Sequence, residues 1–163
     1  MDIDALKRAQ SALELLDMQQ ISVSAYVGKE YDPRLAPEEQ DIAYQTKQGI
    51  VGLEIIGLEG NGETSYILRT TVDFGIRFVP KPNDKKVAED TPVLGEIEAV
   101  YRLDYKVTDE ALVEDTDAIQ EFATHNAPHQ AWPFWREFVD SQTSKMRLPR
   151  LILPMQTIGR KSD

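Results

Sequence analysis

Two stretches of this chain alternate apolar and polar residues over about fifteen positions each. In residues 65–79, Tyr66, Leu68, Thr70, Val72, Phe74, Ile76 and Phe78 share one face, and Arg69, Thr71, Asp73 and Arg77 share the other. In residues 93–107, Val93, Ile97, Ala99, Tyr101, Leu103, Tyr105 and Val107 oppose Glu96, Glu98, Arg102, Asp104 and Lys106. A period of two over that length predicts strands spanning ~50 Å at about 3.3 Å per residue. A shorter alternating run at 21–27 (ISVSAYV) and the apolar run at 50–58 (IVGLEIIGL) predict two more strands, and the EGNGE stretch at 59–63 reads as the turn that ends the latter. Strands with one wet and one apolar face belong to an antiparallel sheet that needs a cover.

The cover must come from the two ends of the chain. Ile3, Leu6, Leu13 and Leu16 fall near one side of a 3.6-residue helix, with Ala5, Ala9 and Ala12 between them, which predicts an amphipathic helix from Ile3 to Asp17. Residues 28–47 are polar, hold Pro33 and Pro37, and read as a long loop. After the last strand, Asp117 and Gln120 make a capping box for a short helix through Phe122 and Ala123 that Pro128 stops. A second helix begins near Trp132, with Pro133 in its first turn where a missing N–H costs nothing, and runs to about Arg147 before Pro149. Its apolar stripe is Trp135, Phe138, Val139 and Met146. One antiparallel sheet with segregated helices is an α+β fold. Strands this long expose more apolar face than so little helix covers, so self-association into a homo-oligomer is expected.

Composition narrows the class. The 163 residues suit one domain spanning 1–163, with residues 1–18 as an added N-terminal helix and 156–163 as a short tail. There is no cysteine, no basic leader running into an apolar core, and no apolar run of membrane length, so a cytoplasmic protein without membrane insertion is expected. The net charge of −10 argues against nucleic acid as a partner and favours a basic one. That charge is concentrated: residues 88–121 hold eleven acids against two bases, whereas 136–163 hold six bases against three acids. A solvated sheet face accounts for much of the acidic block.

Catalytic chemistry finds little to stand on. Without cysteine there is no thiol nucleophile, and Glu121, His125 and His129, though four apart, are interrupted by Pro128 as candidate metal ligands. The EGNGE stretch lacks the Lys-Ser/Thr of a phosphate loop. No catalytic residue, metal or cofactor is therefore expected.

What remains is the aromatic segment 126–154, NAPHQAWPFWREFVDSQTSKMRLPRLILP, which contains both tryptophans. Its WPFWRE at 132–137, followed by Ser141, Ser144 and LPRLIL at 148–153, resembles the C-terminal half of the SecB preprotein-export chaperones. There an aromatic-Pro-Tyr-x-Arg-Glu helix is followed by Pro-x-Leu-x-Leu. Weaker similarity lies at Ile21, Ser22 and Ala25, and at Glu89-Asp90-Thr91 through Leu94-Gly95-Glu96; the whole covers roughly residues 21–155. The resemblance implies a four-stranded antiparallel sheet with helices on one side, assembled as a dimer of dimers, hence a homotetramer. It also implies ATP-independent holding of unfolded polypeptide, with Ile21, Val23, Trp132, Phe134, Leu148 and Leu151 as client-binding residues and Glu89, Asp90, Glu96 and Glu98 as the docking face for the motor ATPase SecA. Aromatic side chains offer large contact area without demanding a client sequence. For Trp135 and Phe138, on the helix stripe, core packing is the preferred reading.

The partner is less constrained. Gln20 and Ser24 stand where the export chaperones carry acids, and the tail QTIGRKSD is short and basic. The N-terminal helix is more similar to the SecB-like chaperones that protect antitoxins in toxin–antitoxin systems. A holdase for exported preproteins is thus weighed against a dedicated antitoxin chaperone, and against a carrier of a small apolar ligand held between sheet and helices.

Overall fold

The computed structural model describes residues 1–35, 41–81 and 91–156. In chain order these form α1 (Ile3–Ala12), β1 (Leu13–Val27), β2 (Ile42–Gly60), β3 (Glu63–Pro80), β4 (Gly95–Val107), a short 3₁₀ turn (Glu110–Glu114) and α2 (Thr116–Met146). The strands make one antiparallel sheet in the order β1-β4-β3-β2, which leaves β1 and β2 as its edges. This is the α+β fold expected from the alternation. The β2–β3 hairpin turns on Asn61 and Gly62, whose φ angles of 53° and 82° lie where Asn and Gly pay least.

Residues paired across antiparallel strands share a face. Val72 pairs with Tyr101, Phe74 with Ala99 and Ile76 with Ile97, so the apolar sets of β3 and β4 merge into one floor, and all six residues are buried. Helix α2 lies on that floor. Its buried residues Ile119, Ala123, Ala127, Ala131, Trp135, Val139 and Thr143 recur every four positions, and the four alanine and valine members let its axis approach the sheet closely.

Four sequence expectations are corrected. The N-terminal helix stops at Ala12, and Leu13, Leu15 and Leu16 belong to β1, where Leu13 pairs with Val107 and Leu15 with Tyr105. Leucine's helix preference is worth only tenths of a kcal/mol, and ladder pairing with a buried central strand outweighs it. β2 begins at Ile42 rather than 50, because an edge strand pairs on one side only and tolerates polar residues such as Gln45 and Lys47 on its wet face.

The two C-terminal helices are one, continuous for 31 residues through Pro128 and Pro133. Each internal proline removes a backbone bond and costs about 3 kcal/mol in a free helix. Burial of Ala127, Pro128, Ala131 and Trp135 against the sheet keeps the axis unbroken here. The helix is capped by Asp115, whose carboxylate accepts from the Ala118 N–H at 3.1 Å, and Asp117 sits in its first turn instead of at the cap.

α1 packs on α2 through Ala5, Ala9 and Ala12, all at or below 5% exposure. Arg8 Nε donates to Asp115 Oδ2 at 2.8 Å and Gln10 Nε2 to Asn126 Oδ1 at 3.1 Å, so Asp115 both starts α2 and holds α1.

Candidate functional site

α2 covers the middle of the sheet and leaves both edges of the same face open. On the β1 side, Val23, Ala25 and Val27 pair with Ala99, Ile97 and Gly95, which puts them on the helix-covered face, yet Val23 is 54% and Val27 39% exposed. Ile21, 46% exposed, falls at a register shift of β1, where the extra residue sharpens the strand's twist. Leu15 and Leu16 continue the uncovered apolar surface along this strand. The half-buried strand read from ISVSAYV therefore has its apolar side outward in the single chain.

The β2 side is framed by α2 and by residues 148–156, which leave the helix and run back along it. Arg147, in the left-handed conformation at φ 54°, turns the chain. Leu148 is only 5% exposed, so of the six client-binding candidates it alone is buried; it packs so closely on Gly95 that a Cβ there would meet its Cδ1 at 2.7 Å. Leu153 is buried and Leu151 half-buried on the core, while Ile152 and Met155 face outward. Trp132 Nε1 donates to the Pro154 carbonyl at 2.8 Å, Arg136 Nε to the Leu153 carbonyl at 2.6 Å, and Gln156 Nε2 to Gln48 Oε1 of β2 at 2.8 Å.

The aromatic segment divides between these surroundings. Trp135 is fully buried, stacked on Phe74 with centroids 5.6 Å apart, and Phe138 is half-buried beside it, so the core reading of this pair holds. Trp132 is half-buried, its ring edge-on to Phe74 at 5.7 Å. Phe134 is 55% exposed and leaves its ring in water.

The opposite face of the sheet is polar and ion-paired. Arg69 forms a two-pronged pair with Asp104 at 2.8 and 2.7 Å, which holds the Asp104 carboxyl below the ordinary carboxylate value. Lys47 bridges Asp73 and Glu98, and hydrogen bonds first to Glu98 and then to Asp73 push its ammonium pKa up. Around them a shallow depression of about 410 Å³ is lined by Gln45, Thr46, Lys47, Gly75, Ile76, Arg77, Glu96 and Glu98. Of the four acids expected to dock a partner, Glu98 is thus engaged by Lys47. Glu96 stands beside Tyr26, whose phenol is pushed up by burial and then by that carboxylate. Glu89 and Asp90 lie outside the described residues.

Buried hydroxyls in the core are structural. Burial pushes the Tyr101 phenol up to about 12, and its oxygen accepts from Gln20 at 3.0 Å; Tyr105, also shifted upward by burial, donates to Gln130 Oε1 at 2.7 Å. Because α2 is continuous, the proline break invoked against a metal site between His125 and His129 does not exist. Nevertheless, no group of three His, Cys, Asp or Glu residues able to hold a metal occurs among the described residues. His125 instead lies 3.2 Å from Glu121 along the helix. No helix among the described residues is long and apolar enough to cross a membrane.

Sequence reasoning missed Arg136 and Gln156, whose partners are backbone and edge-strand groups with no signature in spacing. Over nearly its whole length the chain follows the same path as a solved SecB-like chaperone. The fold is SecB-like.

A solved Mycobacterium tuberculosis structure, the Rv1957 SecB-like chaperone in complex with a ChAD peptide from the Rv1956 HigA1 antitoxin, matches with a TM-score of 0.66 at 14% identity, covering 96% of this chain and 99% of that one. No family model and no curated protein sequence matches the chain. Among the described residues the chain supplies one long helix for four long strands, which leaves the sheet face open at its edges.

Proposed function

We propose that this protein is a cytoplasmic, ATP-independent holdase that binds extended, non-native polypeptide along the uncovered strips beside α2. The observation that carries the reading is β1, an edge strand whose Ile21, Val23 and Val27 stand exposed along a side that pairs with no other strand among the described residues. An extended client supplies what such a strip lacks, apolar side chains together with backbone donors and acceptors. Phe134 of α2 offers a second exposed apolar contact. Such binding requires no nucleophile, metal or cofactor. A second copy of the chain covering part of the open surface, within a homotetramer, belongs to the same proposal.

The client class we infer is an antitoxin segment. Two observations support it: the structural neighbour carries an antitoxin peptide, and Glu98, half of the described acidic docking pair, is already paired with Lys47. Docking to the SecA motor is the second reading, favoured by the half-exposed Glu96 at the start of β4. Titration of the protein with purified SecA at low salt separates them. A salt-sensitive complex weakened by Glu96→Lys supports export, and no complex at low salt leaves the antitoxin reading.

The holdase reading itself is tested by anisotropy of labelled, reduced and carboxymethylated α-lactalbumin. Saturable binding that weakens with Val23→Asp supports it, whereas no binding at tens of micromolar protein overturns it.

A further inference from the structure

Residues 148–156 lie extended along α2, held in part through their backbone carbonyls, contacts that any residue type would offer. Trp132 and Arg136 are one helical turn apart on the same side of α2, and their N–H groups reach the carbonyls of successive residues, Pro154 at 2.8 Å and Leu153 at 2.6 Å. Residues 149–156 make no backbone–backbone hydrogen bond with the described residues, so this segment is not a fifth strand. It is kept by two carbonyl contacts, by the inward Leu151 and Leu153, by an exposed contact from Arg136 Nη1 to Met155 Sδ at 2.7 Å, and by exposed polar links at its ends, Arg150 to Asp140 at 3.1 Å and Gln156 to Gln48 at 2.8 Å. Alternation of inward 151 and 153 with outward 150, 152 and 154 is the alternation any extended polypeptide presents.

We propose that Trp132 and Arg136 are a reader of backbone carbonyls, that residues 149–156 are its resident occupant, and that an extended apolar client segment replaces them. This rests on the holdase reading above and adds where the client lies and what it must displace. The chemistry favours exchange. A carbonyl from any residue satisfies both donors, Leu153's slot accepts any aliphatic side chain, and the polar links at the ends are exposed and individually worth little. Leu148, buried against Gly95, is the fixed hinge from which the segment swings. The clamp thus keeps apolar surface covered until a competing chain arrives, and the apparent affinity for that chain is its intrinsic affinity reduced by the fraction of time the segment is open.

The test uses the absence of cysteine in the chain. The full chain carrying Gln48→Cys and Gln156→Cys is measured before and after bridging with a short bis-maleimide, beside the unmodified protein and Leu153→Asp, which loosens the segment without touching Trp132 or Arg136. The probe is reduced, carboxymethylated α-lactalbumin. Bridging is expected to weaken binding by about ten-fold or more, and Leu153→Asp to strengthen it by up to about ten-fold if the segment is open about a tenth of the time. Equal binding by the bridged and unbridged forms, with the unmodified protein binding normally, overturns the displacement and leaves the holdase reading standing. Failure of every form to bind, Leu153→Asp included, overturns the holdase reading and the displacement with it.

Discussion

Phe74 of β3 and Trp135 of α2 stack face to face, their ring centroids 5.6 Å apart and their planes 11° from parallel. Both side chains are at or below 1% exposure, and the pair fastens α2 to the centre of the sheet. Trp135→Ala leaves a cavity over β3 that the stiff sheet cannot close, and it is expected to cost about 3–5 kcal/mol in urea unfolding. A loss under about 1 kcal/mol would show that α2 is not held there.

Phe134, the next residue along the helix, is expected to behave in the opposite way. At 55% exposure its replacement by Ser should shift stability by no more than about 0.5 kcal/mol. Affinity for unfolded polypeptide should nevertheless fall several-fold. Equal losses of melting temperature and affinity would assign Phe134 to the fold. Trp132, half-buried and bonded to Pro154, is expected to lose both at once when changed to Ser.

The contrast between these neighbours marks what was legible in the sequence. Period-two alternation located β3 and β4 because β4 along its length and β3 from Leu68 onward are buried on one face. The polar start of β2 and the leucine-rich start of β1 were hidden, since on edge strands pairing, and not side-chain burial, makes the strand. Pro128 read as a stop and Pro133 as the first turn of a new helix because local sequence counts the missing backbone bonds and not the sheet packed beneath them. In the site, Phe134 and Val23 were candidates only through the family resemblance, since alternation by itself turns Val23 inward; both stand exposed. Burial of Leu148 and the carbonyl contacts of Trp132 and Arg136 depend on where the chain returns after Met146, which no periodicity encodes.

The polar face makes a pH prediction. Hydrogen bonds from Arg69 lower the Asp104 pKa below its ordinary value of 3.8. A carboxyl with a depressed folded-state pKa stabilises the fold above the unfolded value, and that stability drains away as pH falls through the folded one. Urea midpoints measured from pH 6 downward should therefore fall less below pH 4 in Asp104→Asn than in the unmodified protein. Both groups are partly exposed, so the Arg69–Asp104 coupling in a double-mutant cycle is expected to be about 0.5–1 kcal/mol at neutral pH. Parallel acid titrations of the two proteins would contradict the assignment.

Assembly follows from the open edges. The uncovered apolar residues of β1 and the helix-side face predict a homo-oligomer, and the resemblance to SecB chaperones makes a homotetramer the expected species in light scattering at micromolar concentration; Leu15→Lys, which places a charge on the edge strand, should shift the population toward smaller species. A stable monomer under the same conditions would contradict this part of the account.

Holding of non-native chains is tested most directly by turbidity of several unrelated unfolded proteins diluted from denaturant, with the chaperone candidate present and ATP absent. The account predicts that aggregation of each is delayed at near-stoichiometric ratios, and that adding ATP changes nothing. Protection of none of them, alongside saturable uptake of a single small apolar molecule, would contradict it and make the chain a ligand carrier.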